Sequence, residues 1–218
     1  MKFLGDPRSG SYQGITSSRN RFGQYVRTRA APVQPRTTFQ LNQRARLTTN
    51  AAGWRGITDA QRAGWGDLGL MISRTDSLGS AYTFNGFMAY CSVNNNKLDA
   101  GDAVVSDAPA IVTPPDLISV TLTATSVALS VAYTATPLAA GVRLFIFVSP
   151  QASAGRKFNG DYRLLTVTAA AAASPANILA AYTARFGVPV TGNRLFLSCQ
   201  TYQGGFKGSP FNVSQVIA

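Results

Sequence analysis

The pattern of hydrophobic and polar positions divides the chain into two regions. Beyond residue 116, apolar and polar side chains alternate, as where Val120 and Leu122 are interleaved with threonines. A period of two is typical of a β-strand that buries one face. In the first hundred residues the apolar positions recur mostly at helical spacing, and Pro114-Pro115 marks the clearest boundary between the regions. The pattern therefore predicts an α+β protein with most of its strands in the C-terminal half.

Stretches with strand character continue to the end of the chain, joined by turns rich in proline and glycine. A short helix is expected at Pro175 to Phe186, with Ser174 as its N-cap and Pro175 at its first position. This arrangement predicts an antiparallel β-sandwich, nearest to the immunoglobulin-like (Ig-like) or fibronectin type III class, with the helix crossing between the sheets. The predicted strands cover residues 117–124, 126–134, 142–149, 162–168, 194–202 and 210–217.

Two capping boxes predict where the first helices begin. Thr37 pairs with Gln40, and Thr58 pairs with Gln61. In each pair the threonine oxygen accepts from a backbone N–H, and the glutamine side chain reaches back to the N-cap backbone. We therefore expect one helix to begin after Thr37, and a second to begin after Thr58 and follow it closely.

The apolar residues of these helices predict a small core. Phe39, Leu47 and Trp54 lie near one stripe of the first helix, and Trp65 lies on the second. Because packing is the usual role of a buried tryptophan, we expect Trp54 and Trp65 to meet in an αα-hairpin.

A third helix is predicted after an extended stretch over residues 79–84. Asn85 is a good N-cap, the helix covers Gly86 to Lys97, and Asn94-Asn95-Asn96 end it. Asp99 to Pro115 then form a linker rich in alanine, aspartate and proline. The predicted domains are an N-terminal arm at 1–36, a helical module at 37–108 and an Ig-like sandwich at 116–218.

The N-terminal arm is predicted to contain a β-hairpin. Its strands cover residues 11–21 and 24–29, on either side of Phe22-Gly23, where glycine can adopt the positive φ of a tight turn. Alternate residues share a face, so Arg19 lies with Arg21, and Arg27 lies with Arg29. The pattern does not fix the register, and so does not decide whether both pairs share one face of the hairpin.

A two-stranded hairpin is only marginally stable alone, so this one is expected to lie on the rest of the protein or on another molecule. Opposed like charges destabilise a ribbon, and four clustered arginines therefore suggest an anionic or subunit partner. The candidate interaction residues are Arg19, Arg21, Phe22, Tyr25, Arg27 and Arg29.

The charge of the chain is concentrated in the same region. The net charge is +11, and residues 1–75 hold twelve Lys and Arg against three Asp, which gives 12 − 3 = +9. Arginine is well suited to pair with phosphate and carboxylate groups. A basic surface that only aids solubility is the alternative explanation.

The composition makes an enzyme improbable. The chain contains no histidine and no glutamate, so it offers no imidazole base and no histidine-ligated metal site. Its closely spaced carboxylates, Asp99, Asp102 and Asp107, lie in the predicted linker. Gly64 to Gly69 match the letters of the GxGxxG motif but follow a helix start rather than a strand. We therefore expect no catalytic residue, no metal and no cofactor.

The two cysteines and the chain's first residues bear on its location. Cys91 and Cys199 are expected to be buried free thiols rather than a disulfide. The first residues lack the apolar core of a secretory signal, and no run is long enough to span a bilayer. We expect synthesis in the cytoplasm and a final place in a virion or an extracellular assembly.

One resemblance can be stated from the sequence. Residues 18–25, with Arg27-Thr28-Arg29 and the stretch from Trp54 to Arg62, resemble the N-terminal module of uncharacterised proteins from bacterial and phage genomes. Pro32, Pro35, Thr37, Gln40 and Trp65 also fit that module. The likeness covers residues 10–98 and implies no known activity.

Three functions remain as hypotheses. The first is a non-enzymatic structural subunit of a phage virion or a bacterial filament, in which copies of the chain assemble through the N-terminal hairpin. The second is a nucleic-acid-associated protein that contacts the phosphate backbone through the arginines. The third is a surface- or carbohydrate-binding module, which rests on fold analogy alone.

Overall fold

The protein combines an N-terminal sheet, a group of helices and two β-sheets that pack face to face. The computed structural model describes residues 9–20, 23–31, 33–75, 79–134 and 136–218. Its mixed α+β architecture agrees with the sequence-based expectation. In the described residues the helices are α1 (Thr38–Gly56), α2 (Asp59–Met71), α3 (Gly86–Ala100) and α4 (Leu179–Phe186). The strands are β1 (Gly10–Tyr12), β2 (Ile15–Asn20), β3 (Gly23–Thr28), β4 (Ser73–Thr75), β5 (Ala81–Thr83), β6 (Ser119–Ala124), β7 (Leu129–Thr134), β8 (Arg143–Val148), β9 (Ala152–Ser153), β10 (Arg163–Val167), β11 (Ala176–Asn177), β12 (Asn193–Gln203), β13 (Phe206–Lys207) and β14 (Phe211–Val216).

The C-terminal half contains two antiparallel sheets with one core between them. The larger sheet has the order β10-β8-β12-β14, with β9 and β13 also paired to β12, and the smaller sheet has the order β11-β7-β6. The alternation of the sequence explains the packing, because Val120 and Leu122 of β6 and Leu144 and Ile146 of β8 all point inward. The six predicted strands are all present, and no end is shifted by more than three residues.

The outer face of the larger sheet is partly covered by the helices. Phe145 alternates with the inward-facing residues of β8 and forms a second cluster with Tyr202 of β12 and Ala100 of α3. Phe147, on the same outer face, packs against this cluster. This contact explains why the apolar run of β8 is nearly continuous, since both faces of the strand are buried.

The first two helices begin as predicted. Both capping boxes form, with Thr37 Oγ1 accepting from Gln40 N and Thr58 Oγ1 accepting from Gln61 N. Trp54 and Trp65 belong to one core, but each contacts Tyr90 of α3, with ring centroids 5.5 and 5.2 Å from that ring. The expected direct meeting of the two tryptophans is therefore replaced by a contact through α3.

Helix α3 is longer than the sequence indicates. It continues through Asn94-Asn95-Asn96 to Ala100 and ends at Gly101, whose φ is 78°. Asn94 is fully buried, where its side chain bonds both the N–H and the carbonyl of Val105. The prediction that the asparagines end the helix was wrong, because their side chains bond other segments rather than the helix's own end.

The predicted start of α4 was also wrong. The helix begins at Leu179, and Ala176–Asn177 form the short strand β11, paired with β7. Ser174 does not cap the helix, because its hydroxyl accepts from the backbone N–H of Tyr133 in β7. Pro175 therefore precedes a strand and not a helix.

The N-terminal strands form a separate three-stranded antiparallel sheet with the order β1-β2-β3. The predicted pairing of two strands is confirmed, but the first predicted strand is broken at Gln13-Gly14, where Gln13 has a φ of 50°. None of the described residues between 9 and 31 is buried or belongs to a hydrophobic cluster. No helix in the described part of the chain is long and apolar enough to cross a membrane.

Candidate interaction surface

The strand register places the candidate arginines on different faces of the N-terminal sheet. Arg19 lies opposite Gln24, whereas Arg27 lies opposite Thr16. Since Arg19 and Thr16 are an odd number of residues apart in β2, Arg19 and Arg27 point to opposite sides. Both are exposed. The sheet therefore presents positive charge on both faces rather than one continuous arginine patch.

Of the remaining candidate residues, the structure describes Tyr25 and Arg29. Tyr25 shares the face of Arg27 and is half-buried. Arg29 follows β3, where its backbone N–H donates to the carbonyl of Gly14 at 2.8 Å. Arg21 and Phe22 lie outside the described residues. The structure thus brings Tyr25 and Arg27 together and separates both from Arg19.

The face that carries Arg19 also exposes apolar side chains. Tyr12 and Ile15 lie opposite each other in β1 and β2, and are 78% and 53% exposed. Val26 of β3 lies on the same face. The sequence pattern does not indicate this apolar strip, because Ser17, the next residue of β2 on the same face as Ile15, is polar.

Helix α1 leaves its N-terminal half uncovered. Phe39 and Leu47 were expected to pack in the core, but they are 60% and 53% exposed, and Leu41 is also exposed. Asn50 is the buried residue of the helix, bonded through its amide to Asn95 of α3. The apolar stripe of α1 therefore meets the core only in its last turns, where Trp54 packs on α3.

A groove of ≈ 630 Å³ separates the start of α1 from the edge of the larger sheet. Phe39 contributes one wall, and Phe147 and Leu164 contribute the other. Strand β10 forms this edge of the sheet, since it pairs with β8 on one side. Arg163 and Asp161 form an ion pair of 2.9 Å at the mouth. The groove thus combines exposed aromatic surface with an edge strand.

The aspartates of the predicted linker have structural contacts. Asp102 accepts from Arg143 and from the hydroxyl of Tyr202, both at 2.8 Å, and so joins the end of α3 to the larger sheet. Burial and the bond to Asp102 raise the pKa of Tyr202. Asp99, which the sequence also placed in the linker, lies in the last turn of α3 and pairs with Arg46. Asp102 therefore holds the end of α3 on the larger sheet, whereas Asp99 joins α3 to α1.

The described residues contain no group of three or more His, Cys, Asp or Glu side chains arranged to hold a metal ion. Cys91 and Cys199 are both free thiols, of which Cys199 is fully buried and Cys91 is half-buried. Comparison of the sequence with protein families and with curated proteins gives no match.

Proposed function

We propose that this chain is a non-enzymatic, self-assembling structural subunit, and that its N-terminal sheet and the start of α1 contact neighbouring copies. The observation that carries the proposal is that none of the described residues 9–39 is fully buried. A three-stranded sheet needs a hydrophobic face or a packing partner to be stable. The apolar side chains of Tyr12 and Ile15 are available for such a partner.

The groove beside β10 supports the same proposal. Exposed Phe39 lies beside the edge strand β10, on which a strand of another copy can add if it displaces the Arg185 side chain, which donates to the carbonyl of Leu164. A phage virion or a bacterial filament is the assembly that we propose. Such subunits commonly pair a projecting arm with a compact β-domain, which is the arrangement here.

We further propose that the C-terminal domain has the fibronectin type III arrangement within the Ig-like class. If β9 and β13 are omitted, seven strands remain. The first, second and fifth of these form one sheet, and the third, fourth, sixth and seventh form the other. This division is the one that fibronectin type III sandwiches have. Helix α4 would then be an insertion in the crossing between the fifth and sixth strands.

Light scattering after gel filtration, combined with negative-stain microscopy, tests the assembly proposal. We expect ordered particles or filaments that grow with protein concentration. The variant Tyr12→Ser/Ile15→Ser should remain folded and shift the protein toward monomer. Phe158→Ser/Val127→Ser is the matched control, because Phe158 and Val127 are 77% and 79% exposed on the sandwich. A wild-type protein that stays monomeric at high concentration would refute the proposal.

Nucleic-acid binding is the second candidate function. In the described part of the chain, Arg19, Arg27 and Arg29 are exposed and form no ion pair with a carboxylate. Such arginines can contact phosphates, and binding should then weaken steeply with salt. Fluorescence anisotropy with a labelled DNA duplex should show salt-sensitive binding by the wild type. The variant Arg19→Gln/Arg27→Gln should bind the duplex much more weakly. The control Arg156→Gln/Arg194→Gln should bind like the wild type.

A further inference from the structure

A polar crevice of ≈ 580 Å³ lies against α3 and β12. Its floor is the outer face of β12, one wall is α3, and the opposite wall is the segment that follows β13. Arg74, the central residue of β4, supplies a further side chain. The crevice is lined by Arg74, Ser92, Asn96, Gln200, Lys207, Gly208, Ser209 and Pro210.

Lys207 is held in this crevice by aromatic rings. Its Nζ lies 4.5 Å from the ring centroid of Phe145 and 5.6 Å from that of Phe147, and 22% of its side chain is exposed. Burial lowers the pKa of Lys207, and the nearby Asp99 carboxylate opposes this effect. The ammonium group is therefore positioned in a site that removes most of its hydration.

The ammonium group has unused hydrogen-bonding capacity. Its nearest carboxylate oxygen is Asp99 Oδ2, at 4.0 Å, which is beyond hydrogen-bond distance. The other oxygen of Asp99 accepts from Arg46. Among the described residues no acceptor lies within hydrogen-bond distance of the Lys207 Nζ. The ammonium group therefore contacts two phenylalanine rings and the Asp99 carboxylate, and it makes no hydrogen bond within the described part of the chain.

Arg74 brings a second positive charge to the crevice. Its guanidinium lies over the ring of Phe84, with Cζ 5.8 Å from the centroid, and it forms no ion pair within the described parts of the chain. Among the described residues the lining contains no carboxylate, and its neutral polar side chains are hydroxyls and amides that can donate hydrogen bonds. Both cations thus lie over aromatic rings, and Asp99 is the carboxylate near Lys207 in the described part of the chain.

We propose that this crevice binds an oxyanion, a phosphate or a carboxylate group carried by a small polar molecule. A planar guanidinium, an ammonium, hydroxyls and amides that line one crevice provide the kind of donors that such groups prefer. The bound anion would supply the acceptors that Lys207 lacks. This site lies apart from the N-terminal sheet and does not depend on assembly.

Isothermal titration calorimetry of the full chain at low salt tests the proposal, with inorganic phosphate and acetate as separate probes. We expect saturable binding of one anion per chain, and the tighter of the two identifies the chemical class. Lys207→Met keeps the packing on the phenylalanines and should weaken binding at least tenfold. Arg74→Gln, on an exposed hairpin, should also weaken anion binding.

Arg194→Gln is the control, since it removes an equal charge from the other end of β12, where Arg194 donates to the carbonyl of Ala154. Thermal unfolding of each variant checks that the fold is retained. If Lys207→Met unfolds, the anion affinity of Arg74→Gln tests the proposal instead. Absence of saturable binding to the wild type would overturn the proposal. Equal weakening by Arg194→Gln would also overturn it, since it would indicate unspecific attraction by net charge.

Discussion

Asp102 joins the end of α3 to the sandwich through two side chains of the larger sheet. Its carboxylate accepts from Arg143 and Tyr202, and the side chains of Asp102 and Arg143 are only 29% and 27% exposed. Hydrogen bonds to charged groups contribute roughly 1.5–3 kcal/mol each when they are partly buried. We expect Asp102→Ala to lower the free energy of unfolding by about 2 kcal/mol, measured by urea denaturation.

The matched control for Asp102 is Asp59, another aspartate with an arginine partner. Its side chain is 97% exposed and pairs with Arg62 one helical turn away. Exposed ion pairs of this kind contribute roughly 0–1 kcal/mol. Asp59→Ala should therefore cost much less than Asp102→Ala. Equal costs for the two variants would show that Asp102 does not link the helices to the sandwich in solution.

The two thiols should differ in reactivity. Cys199 is fully buried in β12, and burial raises its pKa to about 12. Burial also raises the pKa of Cys91, which is only half-buried on α3. Because the thiolate is the reactive form, a disulfide reagent at pH 8 should label Cys91 first and reach Cys199 only when the protein unfolds. Mass spectrometry of the labelled peptides measures the order, and rapid labelling of Cys199 in the native protein would contradict the packing of the core.

At the scale of elements, the GxGxxG glycines of α2 have a role in helix packing. Gly64, Gly66 and Gly69 lie inside a helix, so the motif does not form a phosphate loop. A Cβ at Gly69 would lie 2.6 Å from the backbone oxygen of Phe84, whereas a Cβ at Gly66 would meet no atom within 4 Å. Gly69 therefore allows α2 to approach the segment before α3, and the spacing serves packing.

This difference predicts opposite effects of the same substitution in one helix. Gly69→Ala forces backbone to move and should destabilise the protein by roughly 1–3 kcal/mol. Gly66→Ala fills open space and should stabilise it by up to about 1 kcal/mol, because alanine is the better helix former. Thermal and urea unfolding of the two variants test the prediction. A destabilising Gly66→Ala would mean that α2 packs differently from the structure described above.

The elements that could be predicted from the sequence are those whose cause is local. The capping boxes at Thr37 and Thr58 involve residues three apart, and the alternation of β6 reports directly which side chains are buried. The end of α3 could not be predicted, since Asn96 bonds the carbonyl of Gly205, which is 109 residues away. Strands of two residues, such as β11, likewise lack a local pattern.

The candidate surface could be predicted only in part, because contacts between residues distant in sequence decide its geometry. Sequence placed Arg19 and Arg27 on adjacent strands correctly, but their faces depend on the register in which β2 pairs with β3. The exposure of Phe39 and Leu47 depends on how far α3 extends beneath α1. Amphipathic spacing alone indicates an apolar stripe and not what covers it.

At the scale of the whole molecule, the division between a compact body and an uncovered N-terminal sheet predicts the effect of removing the sheet. The clusters that hold the body together are built from residues beyond 53, and the described residues 9–31 contribute none of them. A truncated chain that begins at residue 32 should therefore keep its free energy of unfolding within about 0.5 kcal/mol of the full chain. Urea denaturation measures this difference. The full and truncated chains are compared at a protein concentration low enough to keep association of the full chain to a minimum.

The same truncation should have a large effect on assembly. If the N-terminal sheet contacts neighbouring copies, its removal takes away Tyr12, Ile15 and the exposed arginines of that sheet together. Light scattering should then give the mass of a monomer. A truncated chain that still forms the same assemblies would assign the contacts to the body, with the edge strand β10 as the next surface to test. A truncated chain that unfolds would show that the sheet stabilises its own chain, and the assembly proposal would lose the observation on which it rests.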